Sequence, residues 1–404
     1  MPLSLARSSC SSLAGSSGEA PGRLGFEPSP GPRRAWRTDR EVSIGDWHAN
    51  RHGARAPEGA QGQAGHCRLL AATVVSASVM ARARTTDELY VAARNEGKLV
   101  LYMGGEARAA HALADSFARA FPGIEVRTFA LGGSSAVAAR IDELRSEGKL
   151  DADVAALQTV QNFVRWARQG ALLQFKPSGF DAVRANLKDK NGFFVGIQMT
   201  PAVYVYNTEK VSRADVPKSA LDFLNPRFRG RIISSYPQDD EATMYVFFTI
   251  VRKYGWGYME KYMANEPKFV RGSHAKVVHS IATGDSYVTF DPNAANIAAE
   301  QAAGSPVGIA YPVNDDVPLW WGAVGIFKGA AHPNAAKLFI TWLLSKKRQL
   351  SANTWSPRTD IPLPSGLCSL SALHLADGYA TFLLDDKLVA NLRVRFAKII
   401  GPVK

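Results

Sequence analysis

Two short glycine-led runs carry the clearest chemical signal in this chain: Met103-Gly104-Gly105-Glu106 and Gly132-Gly133-Ser134-Ser135. Glycine lets the backbone approach a bound group closely. Each run opens onto a helical pattern, whose first N–H groups and positive dipole end attract anions. Ser134 and Ser135 add two hydroxyls at such a start, and the same hydroxyls can equally cap their own helix. Gln158-Thr159 follows an apolar run and offers an amide and a hydroxyl. A fourth polar stretch, Tyr236-Pro237-Gln238-Asp239-Asp240-Glu241-Ala242-Thr243, sets consecutive carboxylates at a helix start. Acids there suit the helix alone; turned toward a ligand, they favour a cation, a hydroxyl or an amine.

Other candidates carry less. Trp320-Trp321 can wall a ligand by stacking or simply pack. His274 and His279 do not share a helical face, so they form no metal pair. Arg358 and Asp360 read as surface residues that fix the tail. The chain has no G-x-S-x-G elbow, no P-loop, no G-x-G-x-x-G after a strand, no CxxC pair and no Cys/His cluster. Binding without turnover, metal or cofactor is the chemistry on offer, and an α/β transferase or hydrolase is the rival reading.

These groups need elements to position them. From Thr86 onward strand-like runs alternate with helical ones: strands at 99–103, 124–129 and 153–157, with helices at 87–96, 107–121, 134–145 and up to 169. That alternation predicts an α/β fold with a largely parallel sheet, and ligands of such sheets sit beyond the carboxyl ends of the strands. The stretch from Val195 to Ile233 then leaves this unit through the strand Ala202–Tyr206 and seeds a second one. Helices are expected there at 242–254, 257–264, 275–283 and 293–303, with strands near 232 and at 287–290, while the strand 307–310 is expected to return to the first unit. The run Ala323–Phe327 returns to the first unit and a helix at 334–344 closes it; the tail from Pro357 turns helical near 383–399.

The segment Tyr206-Asn207-Thr208-Glu209-Lys210-Val211, and further on Asn225-Pro226-Arg227-Phe228-Arg229-Gly230-Arg231-Ile232, resembles the substrate-binding proteins of bacterial ABC importers, in their ferric-ion-binding-like branch. The resemblance runs from about Leu99 to about Leu350. It implies a two-lobed type 2 periplasmic-binding-protein architecture, each lobe a mostly parallel sheet flanked by helices, with hinge crossovers. Lobe one would comprise 84–200 and 307–404, and lobe two 201–306. It further implies a monomer that closes on a small-molecule solute and hands it to an ABC permease in the inner membrane, with no nucleic-acid partner; a sensor reporting the same solute is another use of this design. Relatives place small hydroxyl residues where this chain has its acids, and Thr243 is the nearest match. Relatives that bind ferric iron carry adjacent tyrosines where this chain has Phe290-Asp291-Pro292-Asn293, which argues against iron. The expected ligand-binding set is therefore Gly104, Gly105, Glu106, Ser134, Ser135, Gln158, Glu241, Thr243, Asp291 and Asn293. A small anion is the first-choice solute, from the glycine–serine loop, and a polyol or amine the second, from the acids. Asp291 and Asn293 can contact it or cap the next helix.

Composition agrees with a folded solute receptor. A chain of 404 residues is long enough for two cores. The net charge of +12 is not gathered in one block: residues 1–84 hold 11 Arg against 6 acids, leaving 37 basic and 30 acidic groups for the remainder. No run of about eighteen apolar residues suggests a retained span. Residues 1–65 are rich in Ser, Gly, Pro and Arg without period and read as a disordered or mis-annotated leader. Residues 66–83, a basic flank, an apolar run and a small-residue ending, read as a signal peptide for export to the periplasm.

Overall fold

The computed structural model describes residues 85–271 and 274–404; the expected leader (1–65) and signal-like segment (66–83) lie outside the described residues. Helix α1 (Thr86–Glu96) opens on a reciprocal capping box between Thr85 and Glu88 and stops at Gly97, whose left-handed backbone glycine adopts without strain. Strand β1 (Lys98–Met103) follows, then α2 (Ala107–Ala120), β2 (Glu125–Phe129), α3 (Ser134–Ser146), β3 (Val154–Leu157) and α4 (Val160–Arg168). Strand β3 reads Val-Ala-Ala-Leu and is buried throughout, because helices cover both faces of its sheet.

The first sheet has the order β12-β11-β3-β1-β2, where β11 is Val317–Phe327 and β12 is Leu375–Ala376. Pairing of β1 with β2 and with β3 is parallel, as the alternation predicts. Strand β11 runs antiparallel to β3 and also pairs antiparallel with β4 (Leu172–Leu173) and β5 (Val195–Pro201), so the sheet is mixed. Strand β11 is longer than expected: Val317–Gly322 extends the 323–327 run and places Trp320 and Trp321 inside it, both buried.

From β5 the chain passes directly to β6 (Tyr204–Asn207), the centre of a second, antiparallel sheet with β9 (Val288–Thr289) and β10 (Val307–Ala310). Strand β10 thus stays with the second unit, paired along β6, and does not return to the first as expected. A third pair, β7 (Ile233–Ser235) with β8 (Lys268–Val270), is parallel, and an Ile232–Val288 bridge ties it to β9. Helices α5 (Glu241–Tyr254), α6 (Gly257–Ala264), α7 (His274–Thr283) and α8 (Ala294–Ala302) surround these strands. Their core is aromatic, with Phe247 within 5.0 Å of Phe290 and 5.7 Å of Tyr262. Such edge-on ring pairs add to the burial term. The chain returns from β10 to β11, and α9 (Pro333–Leu343) then packs on α1. The Glu96 carboxylate accepts the Asn334 and Ala335 N–H groups there, an acid at a helix start.

Helix α10 (Lys346–Ser351) leads to a tail holding β12, α11 (Tyr379–Leu383) and α12 (Asp386–Ile400). The helix expected near 383–399 is α12, which starts where Asp385 caps it through its bond to the Leu388 N–H, just after the short α11. Phe396 of α12 is fully buried against Phe247 and Trp256, so the last helix packs on α5 and α6.

Candidate functional site

Loops from the first sheet meet loops around the second and third at one place. On the first side, Gly105 donates its N–H to Gly132 O at 2.5 Å, and Gly104 donates to Ala156 O at 3.0 Å. Gly105 and Gly132 both have positive φ. A β-carbon on Gly104 would overlap Ser134 Oγ, so this position needs glycine for space and not for φ. Ser134 Oγ accepts the Gln158 N–H at 3.1 Å, which locks the ends of β1, β2 and β3 into one platform. Helices α2, α3 and α4 all start from this platform, at Glu106, Gly133 and Thr159, and none begins with a side-chain cap bond.

The opposing side is built from buried charged side chains. Asp291 follows β9 and is fully buried; its Oδ2 accepts the Ser235 N–H at 2.7 Å and the Ser234 hydroxyl at 3.2 Å, and its Oδ1 accepts the Thr243 hydroxyl at 3.0 Å. Asp240 caps α5 by accepting the Thr243 N–H at 2.9 Å. His274, at the start of α7, lies between these two acids, with Nε2 at 3.5 Å from Asp240 Oδ1 and Nδ1 at 3.3 Å from Asp291 Oδ1. The distances are those of ion pairs and not of well-aligned hydrogen bonds. One face of the imidazole lies on Trp320, with centroids 5.2 Å apart and the planes 17° from parallel.

Charge in so enclosed a place is set by the neighbours. Burial works against a charged His274, but the carboxylates of Asp291 and Asp240 outweigh it and hold the imidazole pKa well above its ordinary value. Burial likewise opposes ionisation of Asp240, yet His274 and the bonds from Thr243 and Gln158 bring its pKa down to about 2. Glu241 goes the other way: burial, with Asp240 beside it, raises its pKa despite the Ser135 hydroxyl and Arg393. The constellation is thus an Asp240–His274–Asp291 lattice whose histidine favours its charged form, next to a carboxylate that ionises reluctantly.

The two sides touch. Gln158 Nε2 donates to Asp240 Oδ2 at 2.6 Å, and the Ser135 hydroxyl donates to Glu241 Oε1. Arg393, from α12, donates to the same oxygen at 2.8 Å. Tyr379 of α11 donates its hydroxyl to Gln158 O at 3.1 Å.

Of the residues singled out by sequence, Gly104, Gly105, Ser134, Ser135, Gln158, Glu241, Thr243 and Asp291 lie on this connected set of bonds. Glu106 stands beside it as the first residue before α2. Asn293 instead accepts the Ala295 and Asn296 N–H groups and caps α8. Sequence reasoning did not select Asp240, His274, Ser234, Ser235, Tyr379 or Arg393. Asp240 stood in the acid run, but the partners of His274 lie far off at 240 and 291, beyond any local pattern. Trp320 is packed, buried in β11 with its ring stacked on His274. Arg358 is buried and not a surface residue; it is paired with Asp360 and donates to Leu344 O at 2.5 Å.

A family model described as bacterial extracellular solute-binding protein matches residues 112–365. The chain belongs to that family. An uncharacterized protein of Haemophilus influenzae is 26% identical over 278 residues, 64% of this chain and 75% of its own length. The solved structure of the periplasmic binding protein AfuA from Actinobacillus pleuropneumoniae, with exogenous fructose-6-phosphate bound, is 20% identical with a TM-score of 0.63, covering 75% of this chain and 98% of that one. Iron-bound HitA from Pseudomonas aeruginosa, also 20% identical, gives 0.60 over 74% of this chain and 99% of its own. At such identities the likeness establishes the fold, that of type 2 periplasmic binding proteins. These solute-binding proteins serve ABC importers, and family and neighbours are binding proteins, not enzymes. The family is extracellular or periplasmic, and among the described residues no helix is long and apolar enough to cross a membrane.

Proposed function

We propose that this solute-binding protein captures a small polar solute bearing an anionic group, shuts over it by hinge motion, and delivers it as a monomer to an inner-membrane ABC permease after export through residues 66–83. Lobe one presents the glycine platform, and lobe two, with β10 in its sheet, brings Asp240, Glu241, Thr243 and Asp291 against it. The observation that carries the anionic reading is the convergence of α2, α3 and α4 on one platform with no side-chain cap at any of the three starts. The bonds Gln158–Asp240 and Ser135–Glu241 support closure, because they form only when both sides meet. The anionic sugar phosphate named for AfuA belongs to the same chemical class.

A second reading, a hydroxyl- or amine-bearing solute, is favoured by Asp240, Glu241 and Asp291 on the opposing side. Its strength is limited because Asp240 and Asp291 already share the one positive charge that His274 can supply. A thermal-shift panel on the full chain separates the two: inorganic phosphate, sugar phosphates, citrate, polyols, polyamines and ferric salts. A true solute at a hundredfold its Kd adds about 2.7 kcal/mol of stability. Stabilisation by anions alone supports the proposal; a response confined to polyamines or to ferric salts overturns it.

A further inference from the structure

We propose that Glu241 is a built-in occupant of the seat for the solute's anionic group, and that Arg393 on α12 is the cation the solute meets there. Two donors from different parts of the chain, the Ser135 hydroxyl at the start of α3 and the Arg393 guanidinium, converge on a single oxygen, Glu241 Oε1. That is the donor arrangement a carboxylate or phosphate oxygen requires. This inference rests on the anionic-solute reading and deepens it.

Glu241 lies in the first turn of α5, where an acid suits the helix dipole, but that alone does not turn it onto Ser135 and Arg393. Helix α5 is already capped by Asp240, whose Oδ1 accepts the Thr243 N–H. The Glu241 side chain is only 3% exposed and lies next in sequence to another buried acid; burial and Asp240 raise its pKa, and Ser135 and Arg393 only partly offset them. A carboxylate kept in such a place is displaceable by a better anion, because the two donors it holds are already oriented for one. The Ser135–Glu241 contact leaves no room between the two groups, so a solute anion binding Ser135 must take the place of Oε1.

Arg393 is a positioned cation and not a wandering surface group. Leu392 beside it is buried, and Phe396, three residues on, is locked into the α5–α6 core at 5.7 Å from Phe247 and 5.2 Å from Trp256. Its own side chain remains 45% exposed, which leaves the guanidinium donors free to follow an incoming anion. Arg393 also lies outside residues 112–365, the part matched by the family model, so the feature belongs to this chain's tail.

The test titrates the full chain calorimetrically with inorganic phosphate in one arm and acetate in the other, comparing wild type with Glu241→Gln, Arg393→Gln and Arg393→Lys. Glu241→Gln keeps the size of the side chain and an acceptor for Ser135 while removing the competing charge. It should bind the anion at least tenfold tighter than wild type. Arg393→Gln should bind at least tenfold weaker, with Arg393→Lys recovering part of the loss. If Glu241→Gln fails to fold, Glu241→Ala is read in the same titration with the same expectation. Anion binding that is equal or weaker in the Glu241 variant, or unchanged in Arg393→Gln, overturns this inference while leaving the anionic reading standing. No binding of either anion by any variant overturns both.

Discussion

The two faces of the site are made of different material. The first is backbone: Gly104, Gly105, Gly132 and Gly133 shape it, and three helix starts face outward from it. The second is side chain: Asp240, His274 and Asp291 interlock under Trp320, with Ser234, Ser235 and Thr243 fixing the acids. A backbone face tolerates changes of side chain but not added bulk, and its donors are ready without rearrangement. A side-chain face holds its charges only while every partner is present. On the proposed function, recognition of an anion falls to the first face, and the second keeps the opposing surface in register for closure.

The sharpest way to break this contrast is Asp291→Ala. Asp291 is 0% exposed and serves three donors besides His274. Its removal leaves a buried imidazolium facing one acid instead of two and strands Thr243 and Ser234. Breaking a buried pair from one side costs roughly 3–5 kcal/mol. Urea unfolding followed by circular dichroism should show a loss of that size with an unchanged slope. A loss below about 1 kcal/mol, the size of an ordinary surface change, would mean that the lattice is not what holds this face.

The two faces also differed in how far sequence revealed them. Paired glycines before helical patterns are local, so the platform was legible from Gly104-Gly105 and Gly132-Gly133 alone, as were the buried runs of β1 and β3. Helix α6 and strand β10 were legible to the residue, because turn residues bound both. The first half of β11 was hidden by Pro318, which normally marks a loop or an edge position. Its N–H would have been missing from any ladder, yet the side of β11 facing β5 accommodates it beside Pro201. His274 was invisible for another reason: its acid partners come from two separate loops, before α5 and after β9, and pairing it with His279 looked along the wrong axis. His279 is instead exposed and bonded to Glu300. Arg393 lay in a tail with no local sign that it would turn back toward the first glycine–serine loop.

The protonation of the side-chain face gives a second probe. His274 is held charged, so its folded pKa exceeds the unfolded value near 6.5. A base with a raised pKa contributes stability that is complete below the unfolded pKa and fades as pH rises through the folded one. Stability should therefore fall above pH 6.5, and His274→Gln should flatten that part of the profile. Glu241, whose pKa is raised, loses stability in the same direction but from a lower starting point near 4.5. Asp240, brought down to about 2, works oppositely, adding stability above 3.8 that is lost on acidification. Denaturant midpoints measured from pH 5 to 9 in wild type and His274→Gln isolate the histidine. An unchanged slope above 6.5 in the variant would show that the imidazole is not charged where it sits.

The smallest effect expected marks the edge of the site. Asn293 is bonded to the Ala295 and Asn296 N–H groups and so serves α8. Asn293→Ala removes a cap, which typically costs about 1 kcal/mol. Because the residue belongs to neither face, solute affinity should stay within about twofold of wild type while the melting temperature falls, a shift of a few degrees for a chain of this size. The decisive comparison is with Thr243, one bond away from both Asp240 and Asp291. Thr243→Val deletes a donor from the side-chain face and should lower affinity together with stability, because the acids it orients lose their register. If the Asn293 variant instead lost solute binding as strongly as the Thr243 variant, the loop after β9 would count as part of the binding surface and the boundary drawn between the two faces would be in the wrong place.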